Sequence, residues 1–454
     1  MNSYLISSTK KSSGKTIFTI GLLRLLKKLN YDPSPFKKGP DFIDPLWLSK
    51  AAGNPCYNLD FYTSSNAEIK NTFKSNILKN NFAIIEGNKG LFDGMSVSGS
   101  DSNAALAKLL KTEVILILDC MGTTRGVAPL LKGYESFDRK VNFKGVVLNN
   151  ISGDRHEGKI ISSIKEYTNF NVLGSIHRNN QLEVLERHLG LEPVFQANNS
   201  NKIINQISST IKSSINLNEI IPNRIKKNKK NKLILTVNNR NRKITVGVAM
   251  DAAFGFYYPD DIEKFKSLGV VIKKFDTIND KKIPNVDALF IGGGFPEVVA
   301  SKLSKNNKMK KSIFEFIDSG KPVYAECGGL MYLCESIKFN NKKYKMVGAI
   351  KGETKMNNKP IGRGYIKINT NKNHPWFDNR TEIKAHEFHY SDIKLLNNKY
   401  KFAYDVKRGY GINGKKDGLI YKSLLGCYAH LRDTKQSQWV ESFVKFIHRC
   451  KKLK

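Results

Sequence analysis

Short apolar runs and longer amphipathic ones alternate along this chain, and the alternation predicts strands and helices in turn. Tyr4-Leu5-Ile6-Ser7-Ser8 reads as a short buried strand, and residues 17–29 place apolar side chains at helical spacing. Phe82-Ala83-Ile84-Ile85-Glu86, Val114-Ile115-Leu116-Ile117-Leu118-Asp119 and Gly145-Val146-Val147-Leu148-Asn149-Asn150 are further buried-strand runs, with helical stretches between them. Residues 1–215 therefore read as one doubly wound α/β domain. The Lys/Asn-rich stretch 216–243 has no such pattern and reads as an exposed linker. A second doubly wound α/β domain, 244–454, is expected to open with the strand Ile244-Thr245-Val246-Gly247-Val248-Ala249-Met250.

In the second half, Val323 and Tyr324 run as a strand into Ala325-Glu326-Cys327-Gly328-Gly329, and an apolar helical run follows. A cysteine between a strand and a glycine-led helix suits a nucleophile at the tip of a sharp turn. Helix N-terminal amides beside the sulfur are expected to favour the thiolate. On these residues alone, a buried structural cysteine before a Gly-Gly turn reads equally well. Ala288-Leu289-Phe290-Ile291 enters Gly292-Gly293-Gly294-Phe295-Pro296-Glu297, whose backbone N–H groups suit an oxyanion as well as a tight turn. A nucleophilic Cys327 needs a base, and His374, His386, His389, His430 and His448 are the candidates in this half.

In the first half, the strand ending at Ser8 leads through Thr9-Lys10-Lys11-Ser12-Ser13 to Gly14-Lys15-Thr16 and then a helix, the context of a phosphate-binding loop. Gly14, Lys15 and Thr16 are expected to bind ATP: backbone N–H groups cradle phosphates, Lys15 reaches the β- and γ-phosphates, and Thr16 ligates Mg²⁺. Thr9 stands where such loops usually begin with glycine. Asp41 and Asp44 in Gly39-Pro40-Asp41-Phe42-Ile43-Asp44-Pro45, Glu86 at a strand end and Asp93 in Gly90-Leu91-Phe92-Asp93-Gly94 complete an expected Mg²⁺ set. Each acid singly reads as a cap or turn residue; their recurrence beside a phosphate loop favours the metal. Asn149 and Asn150 suit a nucleotide base or an ordinary turn.

The chain has 454 residues, more than one core accommodates. Its formal charge of +35 raises the question of nucleic acid. The lysines are interleaved with asparagines and lack any aromatic platform or recognition helix, so no nucleic-acid partner is expected. A multiply anionic small molecule makes better use of part of the charge. No apolar run reaches the roughly 18 residues of a membrane span, no signal peptide is evident, and six scattered cysteines make no disulfide framework, so a cytoplasmic protein without a membrane partner is expected.

The loop from Ser8 to Thr16, Phe36-Lys37-Lys38-Gly39-Pro40-Asp41-Phe42-Ile43-Asp44-Pro45, Asn58-Leu59-Asp60, Glu86-Gly87 and Gly90-Leu91-Phe92-Asp93-Gly94 together resemble the cobyrinate a,c-diamide synthase family. Glu186-Arg187-His188-Leu189-Gly190-Leu191, Asp251-Ala252-Ala253-Phe254-Gly255-Phe256-Tyr257-Tyr258 and Ala385-His386-Glu387-Phe388-His389-Tyr390-Ser391 resemble further family motifs. The resemblance implies a dethiobiotin-synthetase-like, P-loop ATP domain joined to a glutamine amidotransferase domain, with ATP, Mg²⁺ and L-glutamine used to amidate tetrapyrrole carboxylates. It places the base at His430 in Leu425-Gly426-Cys427-Tyr428-Ala429-His430-Leu431, with Cys327 as the glutamine-hydrolysing nucleophile. Ammonia is expected to reach the ATP domain without leaving the protein.

Arg432 and Asp433 stand where cobyrinate-acting members commonly continue with another histidine and an aromatic. Siroheme amidase and nickel-sirohydrochlorin a,c-diamide synthase therefore remain alternatives for the substrate. A rival of another class is a non-catalytic P-loop switch, suggested by Lys10, which resembles the extra lysine of partitioning ATPases. The oligomeric state, a homodimer included, is open.

Overall fold

The computed structural model describes residues 2–77, 82–179, 194, 199–221, 244–377, 380–396 and 400–452. The Glu186–Leu191 motif and residues 222–243 of the expected linker lie outside them. The chain divides into two compact units, Met1–Leu233 and Ile234–Lys454.

The first unit is built on seven strands: β1 Asn2–Ser8, β2 Pro33–Lys38, β3 Tyr57–Leu59, β4 Phe82–Glu86, β5 Glu113–Asp119, β6 Phe143–Ile151 and β7 Val172–His177. They lie in the order β3-β2-β4-β1-β5-β6-β7, and every pairing is parallel. Parallel strands need crossovers, and helices supply them on both faces. The period of two explains the double cover. Tyr4 and Ile6 of β1 join one core with the helices Lys15–Lys28, Ile43–Ala52 and Ser200–Ser214. Leu5 between them joins a second core with Asn66–Ile77, Asn103–Leu110, Val127–Phe137 and Asp154–Tyr167. The stretch expected as linker begins with a short helix, Leu217–Ile220, and Ile220 and Ile221 are buried in the first of these cores. Leu217, Ile220 and Ile221 are the apolar signal there.

The second unit has β8 Thr245–Ala249, β9 Val271–Phe275, β10 Ala288–Ile291, β11 Val323–Glu326, β12 Cys334–Phe339, β13 Lys342–Lys345, β14 Ile350–Met356, β15 Gly362–Thr370, β16 Glu382–His389, β17 Ser391–Leu395, β18 Lys401–Arg408, β19 Lys416–Tyr421 and β20 Leu424–Cys427. Nine form one sheet in the order β16-β15-β18-β19-β20-β11-β10-β8-β9, and β13-β12-β14-β17 form a small second sheet. From β20 to β9 the pairings are parallel, as a doubly wound unit requires. From β16 to β20 they are antiparallel, an extension that the doubly wound reading did not include. Its strands alternate buried and exposed positions, as in β15, and connect without crossover helices. Among the described residues no helix is long and apolar enough to cross a membrane.

Candidate functional site

In the first unit, the carboxyl ends of β1, β2 and β4 lie side by side. Register sets Glu86 beside both Ile6 and Lys37, so the acid and the lysine are neighbours before any side chain is considered. Gly14, at φ 91°, ends the loop after β1 and begins the helix Lys15–Lys28. Lys15 is buried and its Nζ donates to Ser8 Oγ at 2.9 Å, across the mouth of the loop. Thr16 Oγ1 donates to Glu86 Oε1 at 2.8 Å. Lys37 is almost wholly buried, and its ammonium touches Glu86 Oε1 at 2.6 Å, Asp44 Oδ2 at 2.5 Å and Asp41 Oδ2 at 3.9 Å. Of the five expected metal ligands, Asp41, Asp44 and Glu86 thus surround one buried ammonium, and Thr16 joins them through Glu86.

Burial opposes the charge on Lys37, but Asp44, Glu86 and Asp41 together hold it well above the ordinary lysine range. Burial pushes Glu86 up to about 7 despite Lys37. Burial also raises Asp41, with its neighbour Asp44 adding to the effect. Asp44 suffers the same burial, yet the Lys37 ammonium keeps it low. This donor set fits a hard divalent cation: it is all oxygen, and buried Glu86 Oε2 has no hydrogen-bond partner. Asp93 serves a different end: its carboxylate accepts the Gly90 N–H at 3.0 Å and closes the turn on which it stands. Asn149 Nδ2 donates to Ser13 O at 3.0 Å, and Asn150 Nδ2 to Asp119 Oδ1 at 2.8 Å, so both brace the loop region. Lys10 pairs with Asp119 at 2.8 Å.

Sequence reading passed over two lysines here. Lys37 and Lys38 end a strand whose six residues are all buried, and consecutive buried lysines are a sign of an anion site. Lys38 donates to Asn88 at 3.2 Å, and burial pulls its ammonium down to about 8.

In the second unit, Cys327 follows β11 at φ 47° and ψ −103°, a strained backbone at the head of the helix Gly328–Leu333. Close backbone approach explains the two glycines after it. A Cβ on Gly328 would stand 2.8 Å from Gly294 O, and one on Gly329 would stand 2.1 Å from Ile291 O. The Cys327 N–H donates to Cys427 O at 2.7 Å, tying the elbow to the end of β20. Three residues further lies His430, whose N–H donates to His386 O at 2.8 Å and whose ring stacks on His386 with centroids 4.8 Å apart.

Glu326 links the two. One carboxylate oxygen accepts Leu431 N at 2.9 Å and Tyr324 OH at 2.6 Å, and the other stands 3.5 Å from His430 Nδ1. Glu326 and His430 are both buried. Sequence reading quoted Glu326 without giving it a role; the adjacency to Cys327 is its only linear signal.

The thiolate expectation is reversed. Burial is the largest influence on Cys327 and pushes its thiol well up; Glu297 adds to this, and the Gly328 N–H, which favours the thiolate, is outweighed. A six-residue helix offers little dipole against that burial. Cys327 therefore rests as a thiol and needs a base at the moment of reaction.

The other histidines have structural work. His374 donates or accepts with Tyr404 OH at 3.0 Å, and burial pulls it down to about 3. His386 meets Tyr258 OH at 3.1 Å and is held neutral by burial. His389 stacks on Tyr428 at 3.7 Å between Ser391 O and Glu387. His448 lies on an exposed helix position. The Asp251–Tyr258 motif shapes the glycine loop: Gly255 N and Phe256 N donate to Gly293 O at 3.1 Å each, and Gly292 N donates to Tyr257 OH at 2.9 Å. Arg432 pairs with Asp260 at 2.8 Å, and Asp433 caps Val440 N at 3.0 Å. Of these two departures from the commoner pattern, Arg432 ties the segment to the helix Pro259–Ser267 and Asp433 caps the C-terminal helix.

Residues 4–191 match the CobQ/CobB/MinD/ParA nucleotide binding domain, and residues 245–436 match the CobB/CobQ-like glutamine amidotransferase domain. A cobyrinate a,c-diamide synthase of Magnetococcus marinus is 37% identical over 97% of this chain and 96% of its own. One from Archaeoglobus fulgidus is 36% identical over 97% and 96%, and one from Picrophilus torridus 37% over 98% and 98%. With both domains present in that order and similarity running the length of the relatives, the chain belongs to the cobyrinate a,c-diamide synthase family.

Proposed function

We propose that this protein amidates peripheral carboxylates of a tetrapyrrole, with ATP as the activating and glutamine as the nitrogen-donating substrate, as the name of its relatives describes for cobyrinate and its a and c side chains. The observation that carries the reading is the strained elbow at Cys327 with His430 and Glu326 behind it, in the same chain as a phosphate loop.

In the second unit, His430 takes the proton from Cys327 as sulfur attacks the glutamine side-chain carbonyl. Glycine-loop N–H groups after Gly292, whose own N–H is held by Tyr257 OH, face the oxyanion that develops. The protonated imidazole then gives its proton to the leaving nitrogen, ammonia departs, and water hydrolyses the glutamyl thioester to glutamate. Glu326 holds the imidazole in the orientation this requires.

In the first unit, a substrate carboxylate attacks the γ-phosphorus of ATP and ADP leaves, which turns a poor leaving group into phosphate. Lys15, released from Ser8, reaches the phosphates, and Thr16, Glu86, Asp44 and Asp41 hold Mg²⁺. When bound there, Mg²⁺ would supply Lewis-acid stabilisation of the charge on the transferring phosphoryl group. Lys37 neutralises the surrounding carboxylates, and Lys38 offers a buried ammonium to an anionic group. Ammonia attacks the acyl phosphate, phosphate leaves and the amide remains.

The test is amidation of cobyrinate, sirohydrochlorin and siroheme side by side. Cys327→Ala is expected to lose glutamine-dependent amidation and keep the ammonia-dependent reaction, while Lys15→Ala loses both. Loss of both reactions in folded Cys327→Ala would overturn the two-site reading, and preference for a substrate other than cobyrinate would overturn the substrate.

A further inference from the structure

Glu297 closes the glycine loop after β10, and its side chain is not accounted for by the reaction above. It is 9% exposed. The loop lies directly against the nucleophile elbow, since a Cβ on Gly328 would stand 2.8 Å from both Gly294 O and Pro296 Cδ. After burial, the negative charge of Glu297 is the next influence that raises the Cys327 thiol. Among the described residues no cation balances it; apart from burial, only its own backbone N–H influences it. A buried carboxylate without a positive partner is costly, and beside a forming oxyanion an unbalanced negative charge works against the reaction. In the free protein a proton offsets that cost; a cation arriving with the substrate offsets it while leaving the carboxylate ionised. A carboxylate only accepts hydrogen bonds, and the sole cationic group of glutamine is its α-ammonium.

We propose that the Glu297 carboxylate receives the α-ammonium of glutamine and makes the second unit selective for an amide that carries a free α-amino group. The inference rests on the reading of Cys327 as a glutamine-hydrolysing nucleophile. An ammonium that docks there both orients the side-chain amide toward sulfur and removes the negative charge that raises the thiol. Glutamine binding then assembles its own catalytic electrostatics. Burial pushes the free carboxyl up to about 7, and an incoming ammonium favours its ionised form, so glutamine binding weakens as the pH falls below that value.

The experiment compares hydrolysis of L-glutamine with that of 5-amino-5-oxopentanoate, the same amide without the α-ammonium, in the full-length protein and in Glu297→Gln and Glu297→Asp. The unaltered protein is expected to favour glutamine by about 100-fold in kcat/KM, and Glu297→Gln to lose most of that preference through a KM for glutamine raised about 10- to 100-fold. Glu297→Asp keeps part of it. The glutamine KM of the unaltered protein rises below pH 7, and that of Glu297→Gln does not follow. A preference unchanged in Glu297→Gln overturns the inference; because it is a ratio, partial unfolding does not imitate the expected loss. Should Glu297→Gln hydrolyse neither amide, calorimetric glutamine binding to Cys327→Ala with and without Glu297→Gln decides, and equal Kd values overturn it. An unaltered protein that hydrolyses no glutamine would refute the glutaminase reading instead.

Discussion

At the scale of single residues, the second site turns on where protons sit. Cys327 is a buried thiol, so the rate depends on how well His430 is aimed at it. One oxygen of the Glu326 carboxylate stands 3.5 Å from that imidazole, and its other oxygen is fixed by Leu431 N and Tyr324 OH. Glu326→Gln is expected to lower kcat for glutamine hydrolysis by about 10²-fold or more while KM changes little, with partial recovery in Glu326→Asp. A steady-state comparison checks this; an equal rise in KM would mean that the side chain serves binding or folding instead. Cys327, Lys15 and Thr16 could be given proposed roles from sequence because their motifs are linear. Glu326, Glu297 and Lys37 could not, because each acquires its role from a strand or loop far away in the chain. Asp93 shows the reverse case, an acid with the right neighbours in sequence and a turn to close in space.

At the scale of elements, strand ends do the positioning. Parallel register sets Lys37 beside Glu86 in one sheet and Glu326 beside Cys427 in the other. The first sheet was legible because its strands are continuous apolar runs with helical spacers. The antiparallel half of the second sheet was not: its strands mix buried with part-exposed positions, and polar or charged residues such as Arg363, Lys367, Lys401 and Lys407 interrupt the apolar runs. The elbow is the least forgiving element. Gly329→Ala places a carbon against Ile291 O and is expected to destabilise the second unit by an amount at the upper end of the about 1–3 kcal/mol that overpacking costs. Thermal unfolding followed with a glutaminase assay checks it, since a tolerated alanine with full activity would show that the elbow yields.

At the scale of the whole molecule, the charge of +35 finds a use in the proposed substrate. A strongly basic surface draws in a polycarboxylate and does little for a zwitterion such as glutamine. Raising ionic strength from about 20 to 200 mM is therefore expected to lower kcat/KM for the tetrapyrrole several-fold, with the glutaminase kcat/KM unchanged. Parallel decline of both would point to a general salt effect. The two α/β units and their order were legible in the sequence. The point where the first ends was not, because the last described helix of that unit, Leu217–Ile220, is a single turn at the head of a Lys/Asn-rich stretch.

The raised thiol has a consequence for handling and for inhibition. Peroxide and simple alkylating reagents attack sulfur as the anion, so a nucleophile kept protonated until its substrate arrives is spared by both. Of the six free cysteines only Cys450 is not buried, and nonspecific chemistry falls there first. A warhead carried on a glutamine-like scaffold brings its own ammonium and wakes the sulfur that it is meant to capture. The silence of the resting site thus doubles as a filter on which electrophiles it will accept.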